Sequence, residues 1–250
     1  MDADYARAYR SLYERHWWWR ARERLILDTL RRIVPTGGWR RILDVGCGDG
    51  LFLDRLAEIG DVEGIEADAS LVSSDGRHNG RIHIGNFDET FQPARRYSLV
   101  LMLDVVEHLH DPVGALRHAR ALLEPAGVIM VTVPAFNVLW TAHDDLNHHR
   151  TRYTTRTLSE LANQANLEVE SARYFFHWGY PAKLAERALA LVAPASRSGG
   201  RESGSKLPRI PAGWANRSLY LLSRLEQRLT AHLPLPFGSS LMLVARKAPD

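Results

Sequence analysis

Histidine, aspartate and arginine side chains are concentrated in one stretch of the chain, residues 140–153, which reads Trp-Thr-Ala-His-Asp-Asp-Leu-Asn-His-His-Arg-Thr-Arg-Tyr. Histidine can act as a general base near neutral pH. We therefore predict that His143 and Asp144 are acid/base catalysts or bind an acceptor. Polar and cationic side chains can also bind phosphate or carboxylate, and the predicted substrate-binding residues are His149, Arg152, Tyr153 and Trp140. The alternative is a structural loop whose side chains only cap helices and satisfy backbone groups.

A second candidate site is the glycine-rich segment at 44–50, Asp-Val-Gly-Cys-Gly-Asp-Gly, which ends a short apolar stretch. Glycines let the backbone turn tightly, so that a ligand can pack against the amino end of the next helix. Glu66 stands about 20 residues further on, where an acidic side chain can bind both ribose hydroxyls of a nucleoside. The turn and the carboxylate together predict a nucleoside-binding site.

Nicotinamide-dependent oxidoreductases also carry glycine turns, and they are the rival interpretation. Their fingerprint needs glycine or alanine three residues after its second glycine, but Leu51 occupies that place here. A bulky leucine fits poorly where a diphosphate must approach closely. A Tyr-x-x-x-Lys pair is missing too, because Tyr180 and Lys183 have a different spacing. A binding or scaffold protein without activity is a further rival, which the polar cluster at 143–153 disfavours.

Alternating strands and helices must position these residues. Apolar stretches at 42–45, 62–67, 81–85, 97–103 and 128–133 predict five strands, and helices are predicted at 51–59 and 113–123. Such alternation favours a parallel sheet with helices on both faces. A helix at 155–165, a strand at 167–176 and a last strand at 239–246 follow. The predicted fold class is therefore α/β, with a Rossmann-like, seven-stranded, mostly parallel sheet.

Helical segments are predicted on either side of this core. We expect one domain over residues 1–250: an N-terminal helical cap (1–38), a cofactor-binding core (39–176), a helical insertion or lid (177–237), and the last strand with the tail (238–250). A predicted helix at 214–233 carries one apolar stripe, formed by Leu219, Leu222, Leu225, Leu229 and Leu233. Such a helix usually faces a core, and the interpretation we favour is that the helices of the insertion pack on the domain or on a second subunit. The basic stretch 195–212 beside it leaves open a lid, or a peripheral membrane contact through 195–233.

The composition limits the class of protein and its partners. Among 250 residues, 45% are hydrophobic and 24% charged, as in ordinary globular domains. The net charge of +3 permits anionic substrates or an anionic membrane surface but does not demand nucleic acid. A single cysteine, Cys47, excludes an internal disulfide. Because neither a run of about 18 apolar residues nor a signal-peptide pattern occurs, we expect a cytoplasmic protein, with attachment to a membrane surface left open.

Several motifs resemble those of class I S-adenosylmethionine-dependent methyltransferases, in particular the ubiquinone-biosynthesis-like O-methyltransferases. Residues 41–50 resemble their first motif, and residues 62–68 resemble the acidic motif that follows. Residues 85–87, Gly-Asn-Phe, stand where the family often has Gly-Asp-Ala, and residues 104–112 resemble the fourth-strand motif. The resemblance covers about 41–176. It implies methyl transfer from S-adenosylmethionine by in-line displacement, to oxygen of a small-molecule or lipid-linked acceptor, with nitrogen and carbon left open.

The resemblance also implies contacts between individual residues and the cofactor. The residues expected at its methionine part are Asp44, Gly46, Cys47 and Gly48. Those expected at its ribose are Glu66 and Ala67, and those at its adenine are Asn86 and Phe87. Asn86 replaces a commoner aspartate, and its amide oxygen can still accept a bond from the adenine amine. The residues expected beneath the sulfonium are Leu103, Asp104 and His108.

Two further segments resemble a bacterial subgroup of these enzymes: residues 16–22, His-Trp-Trp-Trp-Arg-Ala-Arg, and residues 149–153, in which Thr151 departs from the commoner arginine. The resemblance implies that the tryptophans cap the cofactor pocket and that Arg22, or Arg20, lies near the methionine carboxylate. The alternative is aromatic core packing with solvated arginines. The Asn/Asp-Pro-Pro-Tyr motif of many nucleic-acid methyltransferases is missing, so we expect no nucleic-acid partner. We expect no metal, although the His/Asp cluster, or Glu107 with Asp111, could hold a divalent cation.

Overall fold

The computed structural model describes residues 10–73, 76–192, 209–231 and 233–248. Within them one seven-stranded sheet has the order β3-β2-β1-β4-β5-β7-β6. Its strands are β1 (Arg41–Val45), β2 (Asp61–Glu66), β3 (Ile82–Ile84), β4 (Tyr97–Leu103), β5 (Leu123–Pro134), β6 (Leu167–Phe175) and β7 (Ser240–Lys247). Neighbours among β1 to β5 pair in parallel, whereas β7 is antiparallel to both β5 and β6. The predicted α/β, mostly parallel sheet is confirmed.

Helices cover both faces of this sheet. They are α1 (residues 10–15), α2 (Trp17–Arg32), α3 (Leu53–Leu56), α4 (Pro112–Leu122), α5 (Ala142–Leu146), α6 (Thr155–Gln164), α7 (Gly179–Val192) and α8 (Gly213–Leu229). Local chemistry fixes several of their starts. His16 caps α2 by accepting a hydrogen bond from the Trp18 amide, and Asp111 caps α4, which begins with a proline. Thr154 and Thr157 form a reciprocal capping box on α6.

Two apolar cores lie on the two faces of the sheet. Every residue of β4 except Leu103 is buried, because this central strand is covered on both sides. Alternate β4 residues contribute to opposite cores: Val100 and Met102 to the core beneath α4 and α6, Leu99 and Leu101 to the core beneath α2 and α3. This rigid centre holds the carboxyl ends of β1, β2, β4 and β5 along one edge.

Several predicted boundaries differ from the structure. The helix predicted at 51–59 is reduced to α3, because the glycine turn occupies the residues before it. Strand β5 begins at Leu123, five residues earlier than predicted, since Ala126 takes a positive φ of 57° and lets the chain continue as strand. The predicted helical cap includes residues 1–9 and the predicted basic stretch includes residues 195–208, which lie outside the described residues. Within the described residues, the structure contains no helix both long and apolar enough to cross a bilayer.

The leucine stripe of the insertion was predicted to pack on the domain or on a second subunit, and the first of these two arrangements is wrong. Leu222, Leu225 and Leu229 are exposed, whereas Ser223 and Gln227 of the same helix are buried. The reason is that α8 packs on α2 through polar contacts: Gln227 Nε2 donates to the Ala21 carbonyl oxygen over 3.1 Å. The hydrophobic pattern of a helix predicts which side is apolar and which is polar, but it does not predict which side packs against the protein.

Candidate active site

The turn after β1 forms the floor of a cavity at the carboxyl edge of the sheet. Gly46, Gly48 and Gly50 all have positive φ angles, of 70°, 55° and 71°, which glycine adopts without strain. A Cβ atom on Gly46 would lie only 2.7 Å from Val105 Cγ2. The turn therefore brings bare backbone to the surface of the cavity, as a tightly packed ligand requires.

Glu66, the last residue of β2, is clamped by the same turn. Its Oε2 accepts a hydrogen bond from Gly48 N and its Oε1 accepts one from Asp68 N, both over 2.9 Å. The side chain is buried at the cavity wall. Each carboxylate oxygen keeps a lone pair after these bonds, so Glu66 can still accept two hydroxyl donors in a fixed direction.

Arg22 reaches the cavity from α2 and is held at the ends of β4 and β5. Its Nη2 lies 2.8 Å from Asp104 Oδ2 and donates to Thr132 Oγ1 over 2.9 Å, and Thr132 Oγ1 in turn donates to Asp104 Oδ1. Asp104 has a positive φ of 60°, a strained conformation for a residue other than glycine. Arg22 Nε is buried with no hydrogen-bond partner among the described residues. This donor is available to an anionic group in the cavity.

Asp44, in β1, also lines the cavity and carries an unusual charge state. Burial raises the pKa of Asp44 to about 7, opposed by the charge of Arg22 and reinforced by that of Glu66. A cationic ligand group beside Asp44 would stabilise its carboxylate. Within the cavity, Arg22 can therefore bind an anionic group and Asp44 can bind a cationic group. These are the two charges of an amino-acid group.

The cavity has a volume of about 570 Å³. Nine of the twelve predicted cofactor-binding residues line it: Arg22, Asp44, Gly46, Cys47, Gly48, Glu66, Leu103, Asp104 and His108. Three do not: Ala67 is exposed next to Glu66, Asn86 is exposed after β3, and Phe87 packs against His118 at a ring separation of 4.9 Å. The roles assigned to all twelve residues stay predictions.

The N-terminal helices close the cavity with residues that sequence reasoning missed. Arg10 forms an ion pair with Asp49, and Tyr13 donates a 2.6 Å hydrogen bond to Glu23 Oε2. All four line the cavity. Of the predicted tryptophan cap, Trp17 and Trp18 instead pack against the apolar core, which favours the structural alternative for them. No sequence motif predicts that Tyr13 and Glu23 line a cavity, because their contact depends on how α1 packs against α2.

The predicted catalytic residue Asp144 is inaccessible, which corrects its assignment. Its side chain has 0% exposure, and Arg152 holds it in a bidentate pair with Nε–Oδ1 and Nη2–Oδ2 distances of 2.8 Å. Thr141 N and His149 Nδ1 also bind it. Burial would raise the pKa of Asp144, but the hydrogen bonds from His149, Arg152 and Thr141 outweigh burial and hold it well below its usual range. Asp144 and Arg152 are thus buried and paired with each other, so that neither is free to bind a substrate in this structure.

Of the remaining predicted acceptor residues, the three whose side chains the structure describes, Trp140, His149 and Tyr153, do not line the cavity. The side chain of His143 lies outside the described residues. Tyr153 is buried, and Trp140 is half-buried with its Nε1 donating to Asp145 Oδ1 over 2.9 Å. His149 is tied to Asp144 on one side and contacts the His108 ring on the other, at a centroid distance of 4.8 Å. The cavity is lined near α5 by His108 together with Leu146, Asn147 and His148, and among these four the sequence singled out only His108, for a role at the cofactor.

Two electrostatic features mark this end of the cavity. Burial and the neighbouring His149 lower the pKa of His108, so that His108 is neutral at pH 7. Burial and the charge of Asp104 raise the pKa of Glu107 well above its usual value, and both of its carboxyl oxygens are buried without a partner among the described residues. Ligand atoms of Glu107, His108 and His149 lie within 4.8 Å of one another. These three residues could hold a cation, so the expected lack of a metal stays a prediction.

The sheet order, with a single antiparallel strand inserted beside β5, and the nucleoside-type site at its carboxyl edge define a Rossmann-like class of protein. A solved structure with the same fold is described as a SAM dependent methyltransferase from Archaeoglobus fulgidus. It superposes with a TM-score of 0.54 and 18% identity, covering 90% of this chain and 94% of that chain. This likeness supports the class I methyltransferase fold.

Residues 18–172 match the family model described as "Methyltransferase domain", and the chain belongs to this family. A relative from Mycolicibacterium smegmatis, named a probable S-adenosylmethionine-dependent methyltransferase, is 29% identical over 182 residues, 71% of this chain and 69% of that protein. A ubiquinone biosynthesis O-methyltransferase from Bradyrhizobium diazoefficiens is 32% identical over 101 residues, 38% of this chain and 40% of that protein. This second match spans only about two fifths of the relative.

The protein is therefore an S-adenosylmethionine-dependent methyltransferase, and the oxidoreductase alternative is set aside. The residues of the cavity fit this cofactor. Arg22 has an unpartnered donor for a carboxylate, Asp44 can face an ammonium, and Glu66 presents free lone pairs to ribose hydroxyls. When bound, the cofactor supplies an electrophilic methyl group on a cationic sulfur.

Proposed function

We propose that the protein methylates a hydroxyl oxygen of a small-molecule or lipid-linked acceptor, and that His108 is the general base. The observation that carries this proposal is the position of His108, on the cavity wall and in ring contact with His149, whose Nδ1 lies 2.8 Å from Asp144. We also propose that the chain forms one domain with four parts. These are an N-terminal helical cap (1–38), a cofactor-binding core (39–176), a helical insertion or lid (177–237), and the last strand with the tail (238–250).

The residues act mainly by positioning and by moving one proton. The acceptor enters beside Leu146, Asn147 and His148, so that its oxygen lies in line with the methyl group. His108, neutral at pH 7, takes the hydroxyl proton while the oxygen–carbon bond forms and the carbon–sulfur bond breaks. Asp144 fixes the ring of His149, and His149 fixes that of His108. Positioning supplies much of the rate in such displacements, and a base contributes about 10²–10⁴-fold.

The test compares paired acceptors in an assay that follows release of S-adenosylhomocysteine. Catechols, hydroxylated prenyl-benzenes and the matching anilines would be offered to the wild type, His108→Ala, His143→Ala and His83→Gln. His83 lies away from the cavity on β3 and pairs with Glu63, so His83→Gln is a matched control. We expect turnover of the hydroxylated compounds, a loss of about 100-fold or more in kcat for His108→Ala, and wild-type kcat for His83→Gln.

The pH profile distinguishes a base from a structural histidine. With the cofactor held saturating, the lowered pKa of His108 predicts that kcat/KM for the acceptor rises with pH below about 6.5 and is level above it. His108→Ala should lose this rise. Full activity of His108→Ala, or turnover of the anilines alone, would refute the proposal. If His143→Ala shows the large loss instead, the base is His143, the sequence-based expectation.

A further inference from the structure

Helix α8 turns its polar side toward the protein. Asn216 Nδ2 donates to the Arg15 carbonyl oxygen and its Oδ1 accepts from Trp17 N, each over 2.8 Å. Glu226 Oε1 lies 3.0 Å from His177 Nδ1. Ser223 is fully buried. These contacts, with that of Gln227, fix the rotation of the helix about its axis.

The outward side of α8 is consequently apolar. The exposed fractions of its side chains are 78% for Trp214, 55% for Leu221, 46% for Leu222, 54% for Leu225 and 68% for Leu229. At about 100° per residue, these five positions fall on one side of the helix. Contiguous exposed apolar surface of this kind marks an interaction site.

Within residues 209–231 the exposed charges have one sign. Residues 209–231 contain a single acidic residue, Glu226, which is turned inward. Arg224 is also turned inward, where it pairs with Asp28. Arg209, Arg217 and Arg228 are exposed, and Arg217 and Arg228 lie along one border of the apolar side in the helical projection. An apolar face with arginines beside it is typical of helices that lie in the interface of anionic membranes.

We propose that α8 is a membrane-docking helix, which inserts its tryptophan and leucines at the surface of an anionic bilayer and binds lipid phosphates with its arginines. A second copy of the chain fits less well. In a symmetric dimer the same patch meets itself, so the arginines would be covered without a carboxylate to pair with. The proposal stands independently of the acceptor and the base.

Docking would also place the active site near the bilayer. Tyr220, on the flank of α8, lines a cleft together with Arg10, Tyr13 and Asp49, which also line the cofactor cavity. Arg20 of α2 stacks over the Tyr220 ring at 4.7 Å. Helix α8 therefore borders a cleft that shares lining residues with the cofactor cavity.

The test is co-sedimentation of the full chain with vesicles of phosphatidylcholine alone and of phosphatidylcholine with roughly 30% phosphatidylglycerol, whose negative surface potential attracts basic segments. We expect binding to the anionic vesicles at least tenfold stronger than to the neutral ones. The triple variant Leu222→Ser/Leu225→Ser/Leu229→Ser should reduce it at least tenfold, and Arg217→Gln/Arg228→Gln by on the order of fivefold per arginine. Val34→Ser, at an exposed apolar position beyond α2, is the matched control.

The readouts separate a lost surface from a lost fold. Thermal unfolding and S-adenosylhomocysteine affinity should be unchanged in the triple variant, because the three leucines make no core contact. Failure of the wild type to bind anionic vesicles, or equal binding by the triple variant, would overturn the proposal. So would a concentration-dependent dimer that the leucine substitutions dissociate in the absence of vesicle binding, since the surface would then be a protein interface.

Discussion

The two ends of the active-site cavity use their charged groups differently. At the cofactor end, Arg22 retains an unpartnered donor and Glu66 retains free lone pairs. Behind the proposed acceptor end, Asp144 and Arg152 do not line the cavity, and they use almost all of their hydrogen-bonding capacity on each other and on the nearby backbone. Some charged residues near the cavity can bind a ligand, and others stabilise the surrounding structure. The two groups differ in how many hydrogen bonds they can still form.

This difference has a physical basis. A buried ion pair leaves neither partner free, because separating it would strand a charge in the protein interior. A residue that still has unused hydrogen-bonding capacity is stabilised when a complementary ligand binds. We therefore expect substitutions at the acceptor end to change folding stability first, and substitutions at the cofactor end to change affinity first.

The largest effect is expected for Asp144→Ala, which leaves Arg152 buried without its partner. The free energy of unfolding should fall by about 3–5 kcal/mol, measured by urea denaturation at pH 7. Because the pKa of Asp144 is held below its unfolded value of about 3.9, this stabilisation is present above pH 4 and is lost as pH falls through the folded pKa. The gap between variant and wild type should therefore shrink in acid. An unchanged stability would show that the pair is dispensable.

The next largest effect is expected for Glu66→Ala, which removes both predicted acceptors for the ribose hydroxyls. Affinity for S-adenosylhomocysteine should fall by on the order of 100-fold in titration calorimetry, since hydrogen bonds to charged groups contribute about 1.5–3 kcal/mol each. Glu66→Gln keeps one acceptor and should lose less. If Asp144→Ala weakens binding more than Glu66→Ala while remaining folded, the division between the two ends is wrong.

A smaller effect tests the close packing beneath the glycine turn. A Cβ atom on Gly64 would lie 2.4 Å from Cys47 Sγ, so Gly64→Ala should lower the free energy of unfolding by about 1–3 kcal/mol. Adding Cys47→Ala removes the sulfur and should recover part of the loss, although its Cβ remains 2.9 Å away. A double-mutant cycle measures this coupling. If the stability losses of the two substitutions are purely additive, the turn makes room for the added Cβ atom without a cost in free energy.

The smallest effect concerns pH. Since burial raises the pKa of Asp44 to about 7, the carboxylate expected to face the ammonium group is progressively protonated below neutrality. Affinity for S-adenosylhomocysteine should fall about tenfold between pH 7.5 and pH 6. Asp44→Asn should bind weakly and with little pH dependence over this range. A parallel pH dependence in both proteins would assign the titration to another group.

Much of the cofactor end could be predicted from the sequence because it depends on local backbone geometry. Glycines at 46 and 48 predict a tight turn, and both have positive φ angles in the structure. Glu66 follows at the end of the next strand. The acceptor end could not be predicted to the same depth. A run of His, Asp and Arg residues does not reveal that Arg152 turns back to Asp144, because two polar side chains can satisfy each other or a ligand equally well. His108 emerged as the candidate base only from its contact with His149.

The sequence by itself determined the order of strands and helices, the family and the nucleoside-type turn, since periodicity, glycine positions and charged strand ends are local properties of the chain. Tertiary structure decided which polar groups are satisfied internally and which side of α8 meets the solvent. Burial and pairing are properties of residues far apart in the chain, such as Asn216 with Trp17 or Arg22 with Asp104. Both the candidate base and the proposed membrane surface follow from those long-range contacts.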